Sequence, residues 1–320
     1  MTIDRASVRT ILKPWGRLDL GPWASKNHQD SPVGEISFDC GEEGGPDRLL
    51  LLKLLFTGET LSIQVHPDDA IAKSMGMKSG KSEAWYVLAA EDGAQVAVGL
   101  KRPLTQLEFR KAALDGSIDS LLDWQDAAAG DVFYVPAGTV HAIGAGLVIA
   151  EIQQRNETTF RIWDHGRSRE LHIEQAIAVA RLEPASSRKL PRPITVERSE
   201  LMSCPFFTLE RLDLPADTVW ELTASRESWA LVVAGGGAIG SLTARIGDGF
   251  FAEADRADIH VGPDGIVLLI ATAASAPVIG LLSKPPPKTC RSPVLPRRPA
   301  ISRDPALIHP GCREFRYDPA

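Results

Sequence analysis

The sequence predicts a mainly β fold: two jelly-roll β-barrels with a small helical insertion in the first. Three observations lead there. Short apolar stretches of strand length recur along the chain, separated by glycine and proline turns. Helical spacing is confined to two intervals, 104–124 and 170–182. The second half also echoes the first. Ser228-Trp229-Ala230-Leu231-Val232-Val233, followed by glycines, resembles Ala84–Leu88 and its turn, and Asp248-Gly249-Phe250-Phe251 resembles Asp131-Val132-Phe133-Tyr134. A repeated half made of short strands suits a double jelly roll.

Taken in order, residues 10–60 supply Lys13-Pro14-Trp15-Gly16, a polar loop and Gly34–Phe38. The run Leu49–Phe56 follows, apolar but for Lys53. It has the length of a buried strand, although periodicity alone does not exclude a helix. In Leu61–His66, apolar Leu61, Ile63 and Val65 alternate with Ser62, Gln64 and His66, the period of a strand with two unlike faces. Pro67 and two aspartates end it. The loop Lys78–Ser82 leads into the aromatic strand Glu83–Leu88, and Gln95–Leu100 returns. Residues 104–124 read as two short helices broken at Gly116. Then come a strand, a tight turn and a strand in Gly130–Ile143, strands at 147–153 and 158–163, and a helix from Glu170 to Leu182. The expected organisation is a first barrel over 1–184, a linker over 185–194, a second barrel over 195–284 and a Pro/Arg-rich tail over 285–320.

Composition narrows the function. With 320 residues, 44% hydrophobic and 24% charged, the chain is an ordinary soluble type with room for two cores. A net charge of -6 and the absence of a basic stripe before the tail argue against a nucleic-acid partner. The opening MTIDRASVRT is not a signal peptide, and no apolar run nears the roughly 20 residues that span a bilayer, so no membrane partner is expected. Cys40, Cys204, Cys290 and Cys312 form no C-x-x-C pair and read as free thiols, which places the protein in the cytoplasm. No P-loop or G-x-G-x-x-G occurs, so no nucleotide site is implied.

The candidate chemistry lies in the first barrel. Gln64 and His66 project from one face of one strand, Glu83 opens the next hairpin, and His141 follows the turn Pro136-Ala137-Gly138. Two imidazoles, a carboxylate and an amide oxygen form a mixed N/O set suited to zinc or another first-row divalent ion. With one formal negative charge among them, the ion would keep a net positive charge and act as a Lewis acid. In the second half Asp258 falls where His141 stands, and nothing corresponds to Gln64 and His66. His28, His165, His172, His260 and His309 have no partners at ligand spacing and read as structural or surface residues.

The segments LSIQVHPDD, GKSEAWYVL, DVFYVPAGTVHAIGAG and EIQQRNETTFRIWDHGR closely resemble type I mannose-6-phosphate isomerases of the short bacterial form, members of the cupin superfamily. The resemblance covers residues 10–185 with clear motifs and reaches about 283 as architecture. It implies one Zn2+ per chain, held by Gln64, His66, Glu83 and His141. It also implies an essential arginine at Arg161 and further site residues at Lys81 and Glu151. The expected reaction interconverts mannose 6-phosphate and fructose 6-phosphate through an ene-diolate. Arg161 would stabilise the enolate. Lys81 is open between an acid/base partner and a phosphate contact, and Glu151 between a base and a holder of the ligands. The expected partner is a small sugar phosphate, with the chain a monomer or a homodimer. Two alternatives stay open: a related isomerase of another sugar, and a metal-bearing cupin that binds a sugar without turning it over.

Overall fold

The computed structural model describes residues 3–24, 31–41 and 47–285. The tail beyond Pro285, and with it Cys290, His309 and Cys312, lies outside the described residues, as does His28. Cys40 and Cys204 are free thiols.

The chain is mainly β. Its first half builds two antiparallel sheets. One has seven strands in the order Arg188–Lys189, Val132–Val135, Glu83–Ala90, Leu147–Gln154, Leu50–Thr57, Val33–Asp39 and Ser7–Arg17. The other has five: Phe160–Trp163, Ile63–Val65, His141–Ile143, Gln95–Leu100 and Leu122–Asp126. The strand Leu50–Thr57 is buried along its whole length, which is why its apolar run shows no alternation. Trp85, Val87, Phe133 and Ile149 from the seven-stranded sheet meet Val96, Val98 and Ile143 from the five-stranded one.

Helices cover the other face of the five-stranded sheet. Ile63 and Val65 pack there with Phe109, Ala112, Ala113, Ile118 and Ala176. The strand's alternate residues, Gln64 and His66, are thereby turned toward the facing sheet. The 104–124 interval resolves into helices Gln106–Asp115 and Ile118–Leu121. Gly116 caps the first at φ 79°, where an added Cβ would come within 2.7 Å of the Trp163 ring. The helical reading runs too far at its end, because Leu122–Asp126 is a strand against Gln95–Leu100. The expected helix 170–182 shrinks to Ile173–Val179. Its intended first turn is held elsewhere: Arg167 and Arg169 are bound to Asp164, and the His172 N–H donates to the Arg161 carbonyl.

The second half forms a ten-stranded sheet. Ser228–Leu231 pairs with Gly249–Ala252, and Trp229 faces Phe251 across that pair as Trp85 faces Phe133 in the first half. Its interior is apolar, packed with Leu212, Trp220, Leu222, Ile259 and Leu268. Asp258 sits on a strand opposite Glu221 and is exposed. Three features cross between the halves. Strand Asp4–Arg5 pairs with Phe250-Phe251 of the second sheet. One apolar core joins Phe38, Leu52 and Tyr86 to Phe207, Trp229 and Leu269. Glu227, 3% exposed, accepts the Leu49 and Leu50 N–H groups and the Trp229 indole N–H at 2.7, 2.8 and 3.1 Å. Within 185–194, Arg188–Lys189 and Arg192–Pro193 are short edge strands of the two sheets.

Candidate metal centre and active site

Register brings the predicted residues together. Within the five-stranded sheet, Gln64 pairs with His141 of the strand on one side of its own and with Arg161 of the strand on the other. The three side chains therefore form a row along one face. Glu83 arrives from the facing sheet. One ligand atom each from His66, Glu83 and His141 lies within 4.8 Å of the others. The His66 and His141 Nε2 atoms are each 3.4 Å from a Glu83 carboxylate oxygen, and the Gln64 amide is 3.2 Å from His141 Nε2. His66, Glu83 and His141 are each about 1% exposed.

The donor set fits a divalent cation. His66 Nδ1–H donates to the Thr158 carbonyl at 2.9 Å, and His141 Nδ1–H to the Thr139 carbonyl at 2.8 Å. Those bonds select the tautomer whose Nε2 carries a free lone pair. Burial, with the nearby Lys81 ammonium, pushes His66 down to about 3, against the pull of Glu83. Burial likewise lowers His141. The imidazoles are thus neutral and face a carboxylate. Burial works to raise the Glu83 pKa, but the Lys81 ammonium overcomes it and holds the group ionised. Two unprotonated Nε2 atoms and a carboxylate thus face one another, with the Lys81 ammonium on His66 and on one Glu83 oxygen. Glu83 Oε1 is buried without a hydrogen-bond partner, the mark of a missing cation or donor. The Gln64 oxygen and nitrogen exchange places by a simple amide flip, so its oxygen is available as a fourth donor.

Lys81 and Glu151 stand beside this cluster. Lys81 is 5% exposed. Its ammonium donates to Glu83 at 2.6 Å and to His66 Nε2 at 3.1 Å. Burial would lower its pKa, yet Glu83 and Glu151 together raise it. Glu151, also 5% exposed, shares a strand position with Lys53 on one side and Trp85 on the other. Burial and the Glu83 charge lift it to about 7. Arg161 forms no ion pair among the described residues. Its Nη1 donates to the Glu170 carbonyl at 2.7 Å, and its buried Nε has no partner. His165 and His172 bond to backbone groups and His260 is exposed, all away from the cluster.

A cavity of about 300 Å3 opens above Gln64, Lys81, Glu151 and Arg161. Five of its charged residues escape the sequence reading: Lys13, Glu35, Lys53, Glu157 and Arg169. The one advance sign was Lys53, a lone lysine in an otherwise apolar strand. Its ammonium lies 3.6 Å from Glu35 and 3.2 Å from Glu157, while Lys13 pairs with Glu35 at 2.9 Å. This wall balances two cations with two carboxylates. The opposite wall does not balance. Among the described residues Arg161 has no ion pair, and Asp164, 2% exposed, is shared by Arg169 at 2.5 Å and Arg167 at 3.1 Å, the latter also paired with Glu59 at 3.1 Å.

Comparison with known proteins agrees with the motifs. No protein-family model matches the chain. Over 183 residues it is 39% identical to mannose-6-phosphate isomerase of Streptococcus mutans, covering 55% of this chain and 58% of that one. Over 175 residues it is 34% identical to mannose-6-phosphate isomerase ManA of Bacillus subtilis, covering 52% and 55%. The chain thus spans a little over half the length of these relatives. In three dimensions the mannose 6-phosphate isomerase structure from Bacillus subtilis superimposes with a TM-score of 0.68 at 22% identity, over 85% of this chain and 99% of that one. A variant of phosphomannose isomerase from Salmonella typhimurium gives 0.68 at 14% identity, over 86% and 100%. The chain resembles the mannose-6-phosphate isomerases in sequence over little more than half its length, and it shares the fold of their solved structures over most of it.

Proposed function

We propose that this chain is a zinc-dependent aldose–ketose isomerase of the cytoplasm that interconverts mannose 6-phosphate and fructose 6-phosphate. One observation carries the reading. A buried pair of imidazoles with unprotonated Nε2 atoms, an amide and an orphaned carboxylate oxygen adjoin a cavity with one net-cationic wall. Gln64, His66, Glu83 and His141 would hold the ion in the 1–184 part, with the 195–284 part as its buttress. Bound there, a divalent cation supplies Lewis-acid polarisation of the carbonyl end of the sugar.

The remaining roles belong to this chain's own groups. Isomerisation removes a proton from C2 of the aldose and returns it to C1, while the hydroxyl proton passes from O2 to O1 and negative charge develops on those two oxygens on the way. A carboxyl near 7 is suited to take and return that proton at neutral pH, which favours Glu151 as the base. Lys81, a fixed ammonium facing Glu151, would hold a reacting oxygen and keep the carboxyl in place. Arg161 would stabilise the enolate charge, its guanidinium remaining a cation although burial and the neighbouring Arg169 lower its pKa. Arg169, fixed by Asp164, is suited to the phosphate dianion, which needs donors about a sugar's length from the reacting carbons.

The test is a coupled assay for fructose 6-phosphate formed from mannose 6-phosphate, before and after chelation and with zinc restored. Turnover that chelation abolishes and zinc returns supports the reading. A zinc-loaded protein that never turns over mannose 6-phosphate sinks it.

A further inference from the structure

We infer that Asn156 is a positioning residue for the ligand cluster, acting through His66. The inference rests on the metal-site reading above and goes beyond it, because Asn156 touches none of the four ligands.

Asn156 lies in the loop that follows strand Leu147–Gln154. Its Oδ1 accepts the Thr158 N–H at 2.7 Å, which closes an Asx turn. Its Nδ2 donates to the Ser79 carbonyl at 2.5 Å. The amide is oriented by these two contacts, since one partner is a donor and the other an acceptor. Its backbone is held as well: the Gln153 side chain donates to the Asn156 carbonyl at 2.6 Å, and the Asn156 N–H reaches the Gln154 carbonyl at 2.7 Å.

Both ends of this tie lead to His66. Thr158, fixed by the Asx turn, presents the carbonyl that receives His66 Nδ1–H. Ser79 stands two residues before Lys81, whose N–H bonds to the Pro67 carbonyl and whose ammonium reaches His66 Nε2. One side chain therefore joins the two loops that address the two nitrogens of the same ring. Without the turn, the Thr158 carbonyl loses its fixed position and the imidazole is freer to rotate or to change tautomer. Either change withdraws Nε2 from the cluster. A carbonyl on the far nitrogen of a liganding histidine carries about 10–100-fold in metal affinity, and that is the scale expected here.

The experiment measures zinc affinity of the full chain by competition with a chromophoric chelator, for the wild type and Asn156→Ala. We expect the zinc dissociation constant to rise about 10–100-fold. In 15N-labelled protein, the His66 Nδ1–H signal present in the wild type should be lost or exchange-broadened. A purely structural role would lower the melting temperature while leaving both readouts in place. If Asn156→Ala does not fold, Asn156→Ser is read in the same way. It keeps an acceptor for the Thr158 N–H but drops the bond to Ser79, so a smaller rise of about 3–10-fold is expected. A dissociation constant within threefold of wild type, in whichever of the two variants folds, overturns the inference. Failure of the wild type to bind zinc at all is a separate result, and it would overturn the metal-site reading itself.

Discussion

Arg161 and Gln64 are register partners on adjacent antiparallel strands, so the residue that carries the guanidinium and the residue that carries a candidate ligand amide have their Cα atoms about 5 Å apart. They face the same cavity from neighbouring positions.

For Arg161→Ala the expectation is full zinc content, an unchanged fold and turnover lower by roughly two to three powers of ten, the scale of losing one donor to a developing oxyanion. Metal analysis alongside steady-state kinetics checks both halves. A near-normal rate would remove Arg161 from the chemistry.

Gln64→Ala and His66→Ala should lose zinc and activity in step. The affinity loss should exceed the roughly 10–100-fold of a change one bond further out. Chelator competition measured on both variants decides this, and full zinc occupancy in both would remove them as ligands.

Lys81→Met separates charge from chemistry. The Lys81 ammonium takes the same two acceptors, His66 Nε2 and Glu83, that a metal ion would use. Its removal should leave zinc affinity equal or tighter while turnover falls by about 100-fold or more. Weaker zinc binding would show that Lys81 supports the ligands instead.

Asp164 offers a pH signature. Burial would raise its pKa, but the bonds from Arg169 and Arg167 outweigh it, and the folded carboxyl titrates below its unfolded value of about 3.9. Its contribution to stability is therefore complete above about pH 4 and is lost as pH falls through the folded pKa. Asp164→Asn should melt lower than wild type at pH 7, with the gap closing toward pH 3. Because Asp164 fixes Arg169, the same variant should raise the KM for the phosphorylated sugar. An equal melting gap at both pH values would contradict the assignment.

Glu227→Gln tests the tie between the halves. An amide offers one oxygen and two hydrogens to a site of three donors, so at least one buried N–H loses its partner. The cost should be about 1–3 kcal/mol in denaturant unfolding.

The sequence made the ligand cluster legible because strand alternation is a local rule. Ser62, Gln64 and His66 share a face whatever the rest of the chain does. Glu83 and His141 were legible through their motifs, and the register of three strands then placed His141, Gln64 and Arg161 in one row. The rest of the cavity was hidden for the opposite reason. Lys13, Glu35 and Lys53 meet through the pairing of strands Ser7–Arg17, Val33–Asp39 and Leu50–Thr57, and no spacing within one segment announces such a meeting. Arg169 lay inside an interval that read as the approach to a helix. The short loop that the Asp164 carboxylate organises removed that helix's first turn. Leu122–Asp126 was misread because Leu122 continues the helical spacing, while the strand's pairing partner lies more than twenty residues away.

Glu227 also bears on how such a chain tolerates change. The half that carries it has an apolar interior and no ligand cluster among the described residues. Substitutions over most of its surface would leave the candidate site in the other half untouched. Drift is barred where that half grips the other: at Glu227 beneath Leu49 and Leu50, at Trp229 beside it, and at Phe250-Phe251 along the Asp4–Arg5 strand. The curated relatives align over little more than half of this chain, yet the solved folds superimpose on about 85% of it.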